Sequence, residues 1–178
     1  MTTNTTNLSA PFALKNLQDT GIFTGYASVY NVGDTQQDIV KPGAFDRTLK
    51  DHTAQKRWPK MLWQHDPAQP IGVWTHMRSD AQGLLVEGRL FLNLQKGHEA
   101  YTLLKEGVVD GLSIGYGAAK ARRQGKHRLL EDITLYEISL VTFPANESAR
   151  IFHVKTDEDP DPWIHVSEAI QGVLNVIR

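Results

Sequence analysis

Strand-like alternation dominates the middle of the chain. Residues 21–31, GIFTGYASVYN, alternate small and large β-formers and predict a strand broken at Gly25. Lys41-Pro42-Gly43 marks a turn, and a short amphipathic helix is expected over residues 44–50, with Phe45 and Leu49 at i and i+4. Strands follow over 61–65, stopped by Asp66-Pro67, over 71–78 and over 84–92. Asp80-Ala81-Gln82-Gly83 joins the last two as a hairpin turn. Residues 97–106 read as a helix stopped by Gly107. Strand character returns at 111–118 and 129–143, around a basic hairpin tip from Lys120 to Arg128.

The two ends differ from this middle. Residues 1–20 are polar, rich in Thr and Asn, and are expected to form a flexible arm. Residues 155–165 carry Asp157, Glu158, Asp159 and Asp161 among prolines and predict an acidic linker. Residues 166–178 place Val166, Ile170, Val173, Leu174 and Ile177 on one stripe, with Ser167 as cap, and predict an amphipathic C-terminal helix. The main domain is then 21–154. Closely spaced strands with few helices predict a mostly β (α+β) fold, an antiparallel barrel or sheet with flanking helices and no βαβ units.

Composition narrows the function. A chain of 178 residues with 40% hydrophobic and 22% charged residues is ordinary globular material, sufficient for one domain with its own core. Cysteine is absent, which removes disulfides, thiolate zinc sites and cysteine nucleophiles. A net charge of -1 gives no overall drive toward nucleic acid. No apolar run reaches membrane-spanning length, and the N-terminus has neither the basic nor the apolar part of a signal peptide. The expectation is a soluble protein that stays where it is made. The seven histidines show no metal-ligand spacing, and no metal or other cofactor is expected.

Three residues could carry chemistry. Ser113 lies in Gly111-Leu112-Ser113-Ile114-Gly115, where glycines permit close backbone approach. The string also satisfies the G-x-S-x-G nucleophile elbow, but an elbow needs a parallel strand before it and an acid and a histidine after it, and the rest of the chain offers little βαβ pattern. A bend of small residues is the plain alternative. His65 ends an apolar strand and could face a cleft as general base, or simply cap a turn with Asp66. Alternation places Glu137 on one face with Ile133, Leu135, Ser139 and Val141. A carboxylate there needs a partner, either a histidine as in a serine triad, or solvent and a basic residue at a sheet edge. Asp110 and Asp132, at strand entrances, are weaker rivals.

Together these segments resemble a known family. Trp63-Gln64-His65-Asp66-Pro67 with Pro70-Ile71-Gly72, Gly111 to Tyr116, and Glu137 to Asn146 look like the prohead proteases of tailed bacteriophages. Gly25-Tyr26-Ala27, Tyr30 and Lys41-Pro42-Gly43-Ala44-Phe45 fit the same pattern, so the resemblance spans about residues 21–151. It implies a closed antiparallel β-barrel like that of the herpesvirus assemblins, and a serine endopeptidase with His65 and Ser113 as catalytic residues, for which Glu137 is the position this sequence offers as third member. It further implies action in the host cytoplasm, inside the immature head. The substrates would be the scaffold protein or the scaffolding segment of the major capsid protein, and the protease itself. No membrane and no specific nucleic acid is implied, and a homodimer is expected by analogy with assemblins. The competing reading is a non-enzymatic head-assembly protein that binds scaffold through the basic tip and terminal helix.

Overall fold

A computed structural model of the chain describes residues 20–155. Its elements are β1 (Ile22–Val29), β2 (Asp38–Val40), α1 (Asp46–Gln55), β3 (Lys60–Trp63), β4 (Asp66–Ser79), β5 (Gly83–Leu90), α2 (Gln95–Lys105), β6 (Gly111–Gln124), β7 (His127–Val141) and β8 (Ile151–Val154). The expected arm, acidic linker and C-terminal helix lie outside the described residues.

One mixed sheet holds the strands in the order β2-β7-β3-β4-β5-β1-β8, with β6 on β7 as well. β7 is the organising strand. β6 runs antiparallel to it over nearly its whole length, while β2 and then β3 pair with it in parallel. β2 and β3 run in the same direction along their common partner β7, so the chain must return between them, and it does so through α1. The expectation of a closed antiparallel barrel is therefore corrected: the sheet is mixed and does not close. Where β6 approaches β8 there is an isolated bridge, Gly111 to Arg150, in place of a ladder. Residues 142–150 leave strand conformation around Pro144, which has no N–H to donate to a ladder.

The core lies between this sheet and its helices. Phe23, Phe45, Met61, Ile71, Leu90, Leu112, Leu130 and Ile138 are fully or almost fully buried in it. α1 is pinned to β7 by Thr48, whose buried hydroxyl accepts the Leu135 N–H at 3.1 Å, and by Arg47, which reaches Asp132 at 3.0 Å. The helix starts two residues later than expected because Ala44 and Phe45 are spent on the core before it begins.

Several boundaries also move. Asp66-Pro67 opens β4 instead of ending β3, since a two-residue turn intervenes and Trp63 pairs directly with Asp66. Gly25 does not break β1. It lets β8 pass, because a Cβ there would lie 2.6 Å from the Arg150 carbonyl oxygen. The basic tip is mostly strand: Lys120 and Arg122 lie on β6 and pair with Glu131 on β7 at 2.9 and 2.6 Å.

Candidate active site

Three adjacent strands, β3, β7 and β6, deliver the three predicted residues in that order. Ser113 on β6 stands opposite Ser139 on β7, and Gly115 stands opposite Glu137. Ladder pairing then skips Tyr136 and joins Tyr116 to Leu135. This bulge reverses the alternation, so Leu135 and Ile133 turn into the core with Ile138, while Glu137 shares its face with Ser139 and not with Leu135. The sequence alternation had placed Ile133, Leu135, Glu137, Ser139 and Val141 on one face. Gly115 leaves the space that Glu137 fills, since a Cβ there would come within 2.8 Å of Glu137 Cγ and Cδ.

His65 lies two residues beyond β3, in the hairpin turn to β4. Gln64 and His65 have φ of 52° and 62°, left-handed values that are uncommon outside glycine. Two consecutive positive φ values in a two-residue loop are the signature of a type I′ turn, whose twist suits the flanking strands. Left-handed backbone costs about 1–2 kcal/mol per residue here, so the surroundings must hold it. They do so from β7 and its end. Gln64 N–H donates to the Leu140 carbonyl at 2.9 Å, the Gln64 amide donates to Thr142 Oγ1 at 2.9 Å, and His65 N–H donates to Ser139 Oγ at 3.2 Å.

The turn aims the imidazole at the acid. His65 Nδ1 lies 2.6 Å from Glu137 Oε1, while Glu137 Oε2 accepts from the Ser139 hydroxyl at 2.6 Å. An ionised carboxylate only accepts, so Nδ1 carries the proton and Nε2 presents a lone pair. The hydrogen bond and charge of Glu137 raise the His65 pKa above its ordinary value, against the opposing effect of partial burial.

His65 and Ser113 line one cleft of about 380 Å³. No hydrogen bond joins His65 to the Ser113 hydroxyl here, a common condition of free sites that tighten on binding substrate. The far wall of the cleft holds a polar cluster that sequence reading missed. Asp38, with its side chain 1% exposed, accepts both arms of Arg128 at 2.7 and 2.5 Å and the Tyr116 hydroxyl at 2.6 Å. Burial opposes ionisation of Asp38, but Arg128 and Tyr116 outweigh it and hold its pKa below the usual carboxylate range. Burial and Asp38 together push the Tyr116 hydroxyl pKa up.

The rival acids fall elsewhere. Asp132 binds Arg47, and Asp110 binds Arg150. Ser113 lies inside a 14-residue strand and not at a strand-to-helix turn, so the hydrolase-elbow reading fails. Sequence reading also missed what Ser139 and Gly115 do. Their two-residue spacing from Glu137 and Ser113 was a usable signal, but the cross-strand register that pairs them was not legible.

Comparison with known proteins identifies the family. The family model described as caudovirus prohead serine protease matches residues 10–160. The chain is 36% identical over 157 residues to the prohead protease of Enterobacteria phage HK97, covering 83% of this chain and 68% of that protein. It is 27% identical over 118 residues to the prohead protease of Escherichia phage T5, covering 65% and 55% respectively. It is also 33% identical over 144 residues to the capsid polyprotein of Pseudomonas phage PAJU2, covering 76% of this chain and 20% of that protein. The fold is similar to that of the bacteriophage T4 capsid assembly protease, with a TM-score of 0.54 at 11% identity, covering 67% of this chain and 82% of that one. With most of its length matched, the chain belongs to the caudovirus prohead serine proteases, a family of prohead maturation proteases.

Proposed function

We propose that the protein cleaves peptide bonds with Ser113 as nucleophile, His65 as general base and acid, and Glu137 as the acid that orients His65. The observation that carries this reading is the 2.6 Å contact between His65 Nδ1 and Glu137 Oε1 at a cleft that His65 shares with Ser113. His65 Nε2 takes the Ser113 hydroxyl proton as Oγ bonds to the scissile carbonyl carbon. The same nitrogen returns the proton to the leaving amine nitrogen as the C–N bond breaks. Water then repeats the sequence on the acyl-enzyme, releasing the new carboxylate and restoring Ser113. Glu137 holds the productive tautomer throughout and stabilises the imidazolium that forms in each half.

The substrate in this proposal is the cognate capsid precursor or scaffold, together with the protease itself, cleaved inside the procapsid. Likeness to prohead proteases and to a capsid polyprotein supports it. Mass spectrometry on chain and capsid precursor expressed together, with wild type against Ser113→Ala, provides the test. Shortening of the precursor or of the protease in the wild type alone is expected, and the fragment masses locate the cleavage site. Equal processing by Ser113→Ala overturns the assignment.

A further inference from the structure

We propose that Ser139 is a positioning residue of this site, its hydroxyl tethering the Glu137 carboxylate and the His65 backbone at once. The proposal rests on the reading of His65 and Glu137 given above. Ser139 is completely buried, on the ladder position directly opposite Ser113. Its hydroxyl has one proton, and that proton goes to Glu137 Oε2 at 2.6 Å. The same oxygen accepts the His65 N–H at 3.2 Å.

The chemistry of the partners fixes the direction of every bond. A backbone N–H can only donate, and an ionised carboxylate can only accept. The ring therefore runs from His65 N–H to Ser139 Oγ, from Ser139 O–H to Glu137 Oε2, and from His65 Nδ1–H to Glu137 Oε1. It starts and ends on His65, so one hydroxyl couples the left-handed turn to the orientation of the imidazole. Either carboxylate oxygen alone could bind Nδ1 while the carboxylate rotated about its own axis. With Oε2 tethered to Ser139, the carboxylate plane is set, and with the main chain tethered, the ring is brought to it. Hydrogen bonds in such closed sets reinforce one another in a site of low dielectric. Thr142 and Leu140 hold the neighbouring Gln64, but neither touches the acid.

Ser139→Ala tests the proposal on a peptide spanning the cleavage site found by mass spectrometry. Expected is a fall in kcat of about 10- to 100-fold, the size of losing one hydrogen bond to a charged group, with KM within about twofold. The acid limb of kcat/KM moves down toward the ordinary histidine value as the Glu137–His65 contact loosens. In the Ser113→Ala background, 15N spectra show His65 as a single Nδ1–H tautomer, and adding Ser139→Ala gives a tautomer mixture. A purely structural Ser139 would lower the melting temperature without moving either signature. Ser139→Cys, which keeps a side-chain donor in place but donates weakly, supplies the same readings at intermediate size if the alanine variant does not fold. An unmoved or raised acid limb with a single tautomer and kcat within about threefold overturns the proposal. If Ser113→Ala itself retains cleavage, the failure belongs to the nucleophile assignment and not to Ser139.

Discussion

Replacing Gly115 by alanine should silence the protease while leaving it folded. The position has no left-handed φ, so the backbone itself accepts alanine. The obstacle is Glu137, whose Cγ and Cδ would lie 2.8 Å from the new methyl, more than half an ångström inside ordinary contact, with Oε1 closer still. The carboxylate is already 2.6 Å from both His65 Nδ1 and Ser139 Oγ, so it cannot shift toward either and must swing away from them. A misplacement on the order of 1 Å costs about 10²-fold in rate, and complete loss of the orienting acid about 10⁴-fold. The expected fall in kcat is thus about 10²- to 10⁴-fold, or roughly 2.7–5.5 kcal/mol of barrier. Stability should change little. Alanine in a strand gains about 0.5–1 kcal/mol over glycine, which offsets part of the cost of moving one flexible side chain. A melting temperature within about 4 °C of wild type is expected. Peptide cleavage, thermal unfolding by circular dichroism and the pH profile of kcat/KM check all parts together. Wild-type kcat in the variant, or activity lost only through a collapse in melting temperature, would refute this account of Glu137.

The charges of the site set the remaining outcomes. In the wild type, His65 must be neutral to accept the Ser113 proton, and Glu137 raises its pKa, so the acid limb of kcat/KM should lie above about pH 6.5. Glu137→Gln should lower that limb and reduce kcat by about 10⁴-fold, measured on the same peptide, and a limb that stays in place would contradict the pairing. Because the His65 pKa is raised on folding, its pairing stabilises the protein at low pH and loses this effect as pH rises through the folded-state value. Asp38 behaves oppositely. Its contribution is present above the unfolded carboxylate pKa of about 3.9 and is lost as pH falls through its lowered folded value. Asp38→Ala, which strips Arg128 and Tyr116 of their common acceptor, should destabilise the fold by about 1–3 kcal/mol in urea titration. A loss below about 0.5 kcal/mol would show that Arg128, already half exposed, finds water instead.

Local sequence patterns determined much of this protein. Alternation located β1, β4, β5, β6 and β7 to within a few residues, with both ends of β4 and the far end of β6 running longer than expected. The 3.6-residue periodicity located α1 and α2. The need of a carboxylate for a partner singled out Glu137, and a histidine at the end of a short apolar strand singled out His65. These signals are local, because side-chain period and the cost of burying charge act over a few residues. Tertiary structure decided what depends on register and pairing partner. The bulge at Tyr136 took Leu135 and Ile133 off the face that Glu137 shares with Ser139, and the left-handed turn at Gln64-His65 became visible only through the three contacts that hold it. Whether β7 would take its neighbours parallel or antiparallel is a choice among strands distant in sequence, and no local pattern encodes it. For the same reason the sheet order, its failure to close, and the Asp38–Arg128–Tyr116 wall of the cleft were set by the fold alone, where residues 78 and 90 positions apart first meet.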